Sequence, residues 1–389
     1  MAVHAEVELK QVVKRMRRSD LKKLFTLLLG ASALTLASGF APIEELRRHT
    51  AALLPLKKET PTLKNWGLNN SMGDSHIHAV DAWSIEEGSH NVIVAVIDTG
   101  VDPSHEALLE NMWNEKGART PVFGWNFVNN QANPRDDHGH GTHVAGIIGA
   151  VTNSKTGVSG VSPHVSIMAV KYYSEANTGA VNLNNTVKAI EYAVNHGAKI
   201  INYSGGGPEF SEEEYMAIRK AEAKGVLFVA AAGNEHQDTD QIQNYYYPAA
   251  YQLSNIISVA ATDINNNLLP SSNWGKKRVN VAAPGENIYS TLPGGRYGHM
   301  TGTSQATAFV SGVAALLLAQ NPNLTPVELK SLIKASVDGI PQLRERVASG
   351  GKINAHSALM ALKNLKQSAP VFAARQPVSL LQGLGLQRQ

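Results

Sequence analysis

The sequence predicts an α/β fold in which a mostly parallel central sheet has helices on both faces, in three layers. Five short and nearly continuous apolar runs are typical of strands that are buried on both faces. Six longer segments with helical periodicity alternate with these runs. Such alternation is typical of a parallel sheet wrapped by helices. The 33 glycines suit the tight strand-to-helix turns that this fold needs.

Each element is defined by its apolar pattern and by the residues at its ends. Thr325-Pro326 at a helix start and Gly225 just after a helix are ordinary boundary signals. The predicted strands are Val92–Ile97, Val165–Val170, Ala198–Tyr203, Val226–Ala230 and Ile256–Ala260. The predicted helices are His140–Val151, Val181–Asn195, Glu212–Lys224, Thr303–Ala319, Pro326–Lys334 and Asn354–Leu362.

Composition excludes several classes of function. With 43% hydrophobic and 17% charged residues, the 389-residue chain can bury a sizeable core. It has no cysteine, which excludes disulfides, thiolate metal sites and a cysteine nucleophile. The net charge of +3 arises at the N-terminus, since residues 1–64 hold 12 Lys and Arg against 6 Asp and Glu, whereas the rest holds 23 against 26. Without a basic stripe, we expect no nucleic-acid partner.

The N-terminal residues 1–41 have the plan of an export signal. Seven Lys and Arg between positions 10 and 23 precede the apolar stretch Leu24–Ala37, and small residues around Ala41 suit cleavage. The apolar stretch has 14 residues, fewer than the roughly 20 of a membrane-spanning helix. We therefore expect no membrane anchor after cleavage and an extracellular or periplasmic protein. A buried N-terminal helix is the alternative.

The remaining boundaries follow from changes in composition. Arg17-Arg18 resembles a twin-arginine export signal, although Asp20 departs from that pattern, and an ordinary basic region explains the pair equally well. Met16 is a second candidate start. Residues 42–64 are predicted to be a short pro-segment or linker, residues 65–366 the globular domain, and residues 367–389 a C-terminal tail.

Two polar residues stand at element ends where functional sites form. Asp98 follows the run Val92–Ile97, at the carboxyl edge of the predicted sheet. An Asp that only accepts hydrogen bonds from a turn is the alternative. His140 begins a predicted helix between Gly139 and Gly141, where backbone and ligand can come close.

Other histidines and aspartates surround His140. We expect His138 to be in solvent and His143 to be buried for structural reasons. A metal site is an alternative, formed by His138, His140, His143, Asp136 and Asp137. The sequence lacks the histidine pair at positions i and i+4 with a Glu base that a helical zinc site uses.

Ser304 and Asn234 are two further candidates. Ser304 lies at a helix start after Gly302-Thr303, where backbone N–H groups and the helix dipole favour a nucleophile and a developing oxyanion. A simple helix cap is the alternative. Asn234 follows a buried strand in the pair Gly233-Asn234, which suits a turn or an amide donor aimed at an oxyanion.

These motifs, in this order, resemble those of the subtilisin-like serine proteases, the subtilases. The four motifs are Asp98-Thr-Gly, His140-Gly-Thr-His-Val-Ala-Gly, Ala231-Ala-Gly-Asn and Gly302-Thr-Ser. The stretches 157–163, 201–208, 247–249 and 281–285 are also similar to that family, and the resemblance runs from about residue 66 to about residue 362. It implies the subtilisin-like three-layer fold and a serine endopeptidase activity of broad specificity on protein or peptide substrates, with a monomeric enzyme.

The resemblance also implies a role for each candidate. Ser304 would attack the scissile carbonyl, His140 would transfer the proton and Asp98 would orient His140, through an acyl-enzyme intermediate. The Asn234 amide and the Ser304 backbone N–H would hold the oxyanion. The residues expected to line the substrate cleft are Ser204, Gly205, Gly206, Ala231, Ala232 and Gly233.

Several positions depart from the family pattern. Gln305 replaces the family's Met after the nucleophile, and Ala308 and Phe309 replace its Pro and His, which we expect to reshape the cleft floor. In the substrate pocket, Gly205 is expected to open one wall and Tyr246 to close the floor.

No cofactor is expected for peptide-bond hydrolysis. The sequence does not decide whether a structural calcium ion binds. Ala107 stands where the family has a calcium-binding Asp, and Ser154 about where it has an Asn. Calcium needs several oxygen ligands, which Glu106 or Asp102 could supply instead.

Two alternative functions differ in class from a general protease. One is a catalytically silent binding module, which the intact motifs oppose. The other is a selective processing protease, which an acidic cleft would favour. The candidates for such a cleft are Asp136, Asp137 and the run Glu212–Glu214, and we expect that run to be a solvated helix start.

Overall fold

The computed structural model of the chain describes residues 61–69 and 73–368. The predicted export signal, most of the 42–64 segment and the tail beyond residue 368 lie outside these residues. The strands of the described part are β1 Ile93–Asp98, β2 Gly124–Asn126, β3 Ser166–Lys171, β4 Ile200–Tyr203, β5 Leu227–Ala231, β6 Ile256–Thr262, β7 Val281–Pro284, β8 Ile288–Leu292, β9 Arg296–Met300, β10 Asp338–Gly339 and β11 Gly351–Lys352. The α-helices are α1 Ala79–Ala82, α2 His140–Gly149, α3 Gly179–Asn195, α4 Glu212–Ala223, α5 Thr303–Gln320, α6 Pro326–Ala335 and α7 Ala355–Ser368.

Nine strands form one sheet in the order β10-β11-β7-β6-β5-β4-β1-β3-β2. Every neighbouring pair is parallel except β10 with β11, while β8 and β9 form a separate antiparallel hairpin. The mostly parallel α/β sheet predicted from the sequence is thereby confirmed. All five predicted strands lie in this sheet, with bounds that differ by one or two residues. The other strands were not predicted.

Helices cover both faces of the sheet. Alternate strand residues point to opposite sides, and here both sets are apolar, so each face packs against helices. Val94 and Val96 of β1 belong to one core cluster, together with apolar residues of α2, α5, α6 and α7. Ala95 and Ile97 belong to a second cluster, with residues of α3 and α4. The three-layer arrangement follows directly. No helix in the described part of the chain is long and apolar enough to cross a bilayer.

Candidate active site

Asp98 lies where the strand order of the sheet reverses. It is the last residue of β1, and β1 pairs with β3 on one side and β4 on the other. In open α/β sheets, ligands bind at such a switch point, outside the carboxyl ends of the strands. The Asp98 carboxylate is buried, and its Oδ1 accepts hydrogen bonds from the Thr99 N–H and from His140 Nδ1, each at 2.7 Å.

His140 is the first residue of α2, and its imidazole is 25% exposed. Glycine is required beside it, since a Cβ at Gly141 would lie 2.0 Å from the Gly100 carbonyl oxygen. Gly139 precedes it with a φ of 107°, a conformation that favours glycine. Burial lowers the pKa of His140, but the Asp98 carboxylate outweighs burial and raises the net pKa above its ordinary value.

The Asp136 carboxylate holds the loop that delivers His140. Its Oδ1 accepts hydrogen bonds from the Thr99 hydroxyl and from the N–H groups of His138 and Gly139, at 2.8–2.9 Å. Its Oδ2 accepts the N–H and the hydroxyl of Thr142, at 2.9 and 2.6 Å. Burial raises the pKa of Asp136, but these five donors outweigh burial and lower it.

The neighbours of His140 are placed as the sequence predicted, and they form no metal cluster together. His143 is buried with Nε2 at 2.9 Å from the Ile288 carbonyl oxygen, and burial lowers its pKa to about 4. His138 is exposed. Asp137 pairs with the buried Lys171 at 2.8 Å, and Asp136 turns into its own loop. The alternative of a metal site at these residues is therefore not supported.

Ser304 lies in the first turn of α5, whose N–H groups have no acceptor within the helix. Helices α2 and α5, which begin with His140 and Thr303, pack against each other. Ser304 Oγ donates to the Ser204 carbonyl oxygen at 3.3 Å, and Ser204 Oγ donates to the Ser304 carbonyl oxygen at 3.4 Å. These two bonds hold the end of β4 against the start of α5.

Asn234 is exposed and lies against the same helix start. Its Oδ1 accepts the Thr303 N–H at 2.9 Å and the Thr303 hydroxyl at 3.1 Å. Because the carbonyl oxygen of the amide is used in this way, Nδ2 remains to donate to another acceptor. The structure thus connects Asn234, Ser204 and Ser304 around the start of α5, and connects Asp98 with His140.

The six predicted cleft residues lie at the ends of β4 and β5, which are neighbours in the sheet. Among the described residues, neither Gly205 nor Gly206 takes part in a backbone–backbone hydrogen bond. The buried residues Ala231 and Ala232 and the buried Gly233 follow on β5. The two segments therefore flank one another, with unpaired backbone on the β4 side.

Two tyrosines lie beside the glycines of the predicted substrate pocket. The expectation that Gly205 opens a wall was wrong, because a Cβ at Gly205 would lie 2.2 Å from Tyr172 Oη, which already occupies that space. Tyr246 lies between the two flanking segments, since a Cβ at Gly206 would be 2.4 Å from its Cε1 and a Cβ at Gly233 would be 3.0 Å from its Cδ2. Whether its ring closes the pocket floor stays a prediction.

Glu235 and Asn273 were not found from the sequence. The buried Asn273 donates from Nδ2 to the Ala232 carbonyl oxygen at 2.9 Å and to Glu235 Oε2 at 2.6 Å. A Cβ at Gly233 would lie 2.5 Å from that Glu235 oxygen, so the carboxylate borders the candidate pocket. Glu235 directly follows Asn234, and this adjacency was the one signal that could have found it.

The departures from the family pattern lie in the core rather than on the cleft surface. Gln305 is buried, and its Nε2 has no hydrogen-bond partner among the described residues. Phe309 is fully buried, and a Cβ at Gly67 would lie 2.4 Å from its ring. The expected reshaping of the cleft floor by Phe309 is therefore not supported.

The residues at the expected calcium position do not fit that ion. Ala107 is buried and has no side-chain oxygen, and Ser154 is exposed. Of the two substitutes, Glu106 accepts the Tyr297 hydroxyl at 2.9 Å. Asp102 accepts the N–H and the hydroxyl of Ser104 and the Gly294 N–H, at 2.6–3.1 Å.

Comparison with known proteins defines the class. Residues 89–367 match the model of the subtilase family. The chain is 39% identical over 287 residues to thermitase of Thermoactinomyces vulgaris. The matched region covers 74% of this chain and 95% of thermitase. It is 37% identical over 287 residues to a thermophilic serine proteinase of Bacillus sp. (strain AK1), covering 74% of this chain and 66% of that protein.

A solved structure agrees with these relatives. A protease from Pseudoalteromonas arctica superimposes with a TM-score of 0.65 and 26% identity, over 78% of this chain and 100% of that one. The fold is that of a subtilisin-like protease. The chain belongs to the subtilase family and is a serine-type endopeptidase, whose substrates are proteins or peptides.

Proposed function

We propose that this subtilase hydrolyses peptide bonds through an Asp98–His140–Ser304 triad, with Asn234 in the oxyanion hole and with broad specificity. The observation that supports it best is the 2.7 Å contact between His140 Nδ1 and the buried Asp98 carboxylate. The helix that begins with His140 packs against the helix that carries Ser304, and Asn234 is bound to the start of the Ser304 helix through Thr303.

In the proposed acylation, Ser304 Oγ attacks the scissile carbonyl carbon while its proton passes to His140 Nε2. Asp98 stabilises the imidazolium, consistent with its effect on the His140 pKa. The tetrahedral oxyanion accepts hydrogen bonds from Asn234 Nδ2 and the Ser304 N–H. Collapse breaks the C–N bond, and His140 gives its proton to the leaving amine. Water then attacks the acyl-enzyme while His140 accepts its proton. His140 returns that proton to Ser304 Oγ as the ester bond breaks and the carboxylic acid is released.

Substrate would bind beside β4 as an added strand. The backbone of Gly205 and Gly206, which is unpaired among the described residues, supplies donors and acceptors for such pairing. Ser204 at the strand end and the segment Ala231–Gly233 opposite would flank the residue before the cut. Tyr246 would limit the depth of that pocket.

The selective processing alternative has less support. Of the acidic candidates, Asp136 and Glu214 are buried and serve their own local contacts. Asp137 is neutralised by Lys171. Glu235 is the carboxylate that borders the pocket, and a single acidic group is less than the strongly acidic cleft that selection for basic sites requires.

We further propose an exported monomer without a membrane anchor or nucleic-acid partner, and chemistry without a cofactor. The proposal of export is based on the order of basic, apolar and small residues in 1–41. The proposal of no nucleic-acid partner is based on the excess of Asp and Glu over Lys and Arg after residue 64. The contacts of Asp102 and Glu106 support the absence of calcium at the family's loop position.

A peptide library tests the proposed activity. We expect purified protein to cleave after many residue types. Ser304→Ala should abolish cleavage, Asn234→Ala should lower kcat by about 10²–10³-fold, and Ser331→Ala on the exposed side of α6 should change nothing. If wild type and Ser304→Ala cleave equally little, the chain is a binding module. If cleavage is confined to sites after Lys and Arg, the processing alternative replaces broad specificity.

A further inference from the structure

Asp74, His76 and His78 form a cluster of metal-ligating side chains near the start of the described domain. One ligand atom from each lies within 4.8 Å of the others, and this is the only such group of three among residues 61–69 and 73–368. His76 is buried, the His78 side chain is 21% exposed and the Asp74 side chain is 88% exposed. The cluster therefore has a fixed inner side and an outer side that solvent reaches.

The distances between these atoms are close to those between the ligand atoms of a bound metal ion. Asp74 Oδ1 lies 3.6 Å from His78 Nε2 and 3.9 Å from His76 Nε2. Asp338 Oδ2, from β10, lies 3.7 Å from the same His78 Nε2. Ligands at 2.0–2.2 Å from a tetrahedral zinc ion are roughly 3.3–3.6 Å apart. A contraction of a few tenths of an ångström would bring Asp74 Oδ1 and both histidine Nε2 atoms towards one ion, and Asp338 Oδ2, beside His78 Nε2, is the nearest candidate for a fourth ligand.

Neighbouring groups orient two of these ligands. Asp81 Oδ2 lies 3.3 Å from His78 Nδ1, so that His78 donates a proton there and presents the lone pair of Nε2. Carboxylates commonly hold metal-binding histidines in this way. Asn354 Nδ2 donates to Asp338 Oδ1 at 2.8 Å. Asp338 Oδ2 is buried and has no hydrogen-bond partner among the described residues, so this oxygen has room for a further ligand contact.

Two features oppose binding and set its strength. His76 Nδ1 accepts the His78 N–H at 3.0 Å, so a neutral His76 carries its proton on Nε2. Coordination through Nε2 requires that proton to move to Nδ1 and breaks this hydrogen bond. The buried Lys352 ammonium lies 3.6 Å from Asp338 Oδ2 and donates to the carbonyl oxygens of Asp74 and His76. The carboxylates of Asp74, Asp81 and Asp338 outnumber this one positive charge.

We propose that Asp74, His76, His78 and Asp338 bind one divalent transition-metal ion of the zinc type. Two imidazoles with two carboxylates suit zinc, whereas calcium and magnesium prefer oxygen ligands alone. The ion ties the segment before α1 to β10 and to Asn354 at the start of α7. Since it binds only the folded arrangement, it stabilises the domain and protects its N-terminal segment from cleavage.

Metal titration of the full-length Ser304→Ala chain tests this site without autolysis. After chelation and dialysis, ZnCl₂ is added and binding is followed by calorimetry and by thermal melting, with CaCl₂ and MgCl₂ in parallel. CoCl₂ gives the visible absorption of a low-coordinate cobalt site. We expect a zinc equivalent that raises the melting temperature, which calcium and magnesium do not reproduce.

Matched variants assign the binding to this cluster. His76→Ala with His78→Ala should remove one zinc equivalent and the cobalt absorption, whereas His90→Ala with His164→Ala, another close pair of exposed histidines, should leave both unchanged. Asp74→Asn, at an exposed side chain, should weaken zinc binding at least about tenfold. Zinc binding of equal stoichiometry and affinity in Asp74→Asn and in the folded double variant would overturn the proposal. Zinc held near His140 would survive in both and is thereby distinguished.

Discussion

Two buried carboxylates in different parts of the domain have opposite pKa shifts. Asp136, in the loop before α2, is 4% exposed and receives five hydrogen bonds. Glu214, in the first turn of α4, is 3% exposed and contacts the Tyr251 hydroxyl at 3.0 Å. The pKa of Asp136 is lowered, whereas burial raises the pKa of Glu214 to about 7.

Burial alone therefore does not decide whether a carboxyl group is charged. Burial raises the pKa of both groups, and the number of donors facing the oxygens determines which effect wins. At Asp136 the donors come from the loop and helix start around His140, so its negative charge holds the candidate active site in place. At Glu214 one hydroxyl donor, that of Tyr251, faces Oε2, and this single hydrogen bond does not offset the effect of burial.

Replacing Asp136 should have the largest effect. In Asp136→Asn an NH₂ group faces the N–H and hydroxyl of Thr142, so the loop shifts. We expect kcat/KM to fall by about 10²-fold and the free energy of unfolding to fall by about 2–4 kcal/mol. The Asp136 charge also raises the His140 pKa. In the proposed mechanism His140 must be neutral to accept the Ser304 proton, so the acidic limb of kcat/KM should move to lower pH.

The neighbouring Asp137 provides the control for that experiment. Its side chain is 76% exposed and accepts from one donor, Lys171 Nζ, against five donors at Asp136, so Asp137→Asn should cost less activity and stability. Steady-state kinetics across pH and denaturant unfolding of both variants measure the difference. Equal losses in the two variants would show that the donors around Asp136 do not determine its role.

Glu214→Gln should stabilise the domain at alkaline pH. In the folded state the Glu214 carboxyl keeps its proton up to about pH 7. In the unfolded chain the same carboxyl loses its proton near its ordinary pKa of 4.5. Glu214 therefore lowers stability progressively between these pH values and fully above them. We expect Glu214→Gln to gain about 1–3 kcal/mol at pH 8 and almost nothing at pH 4. Chemical unfolding at both pH values checks this, with the exposed Glu213→Gln as control. A gain that is independent of pH would contradict it.

The difference between these two groups was not visible in the sequence. The run Glu212–Glu214 was expected to be a solvated helix start, which was wrong for Glu214. Its partner Tyr251 is 37 residues away, as is Thr99 from Asp136. Contacts over such separations depend on how elements pack, which a local pattern does not encode.

Asp98, His140, Ser304 and Asn234 were easier to propose from the sequence, because each lies at or just beyond the end of an element whose apolar pattern is clear. Asp98 ends β1, His140 begins α2, and Ser304 is the second residue of α5. Strands with weak patterns were missed. The β8–β9 hairpin has one largely exposed strand, and β2, β10 and β11 have only two or three residues.

Gln305 extends the comparison to a neutral group with too few partners. Its buried Nε2 has no acceptor among the described residues, so Gln305→Met should gain about 1 kcal/mol of stability. A thioether is oxidised by peroxide, whereas an amide is not. We therefore expect wild-type activity to survive peroxide and the variant to lose activity quickly. Rapid inactivation of the wild type, or a less stable variant, would contradict this explanation.

The smallest effect concerns Asp102, a second carboxylate satisfied by donors. Burial raises its pKa, but the hydrogen bonds from Ser104 and Gly294 outweigh burial and lower it, as at Asp136. An oxygen set already filled by N–H and hydroxyl donors has little left for calcium. We expect millimolar CaCl₂ to leave the melting temperature of chelated Ser304→Ala unchanged. An increase that disappears in Asp102→Asn would show that calcium displaces these donors, and the donor count would then fail to predict which buried carboxylates are free to bind a cation.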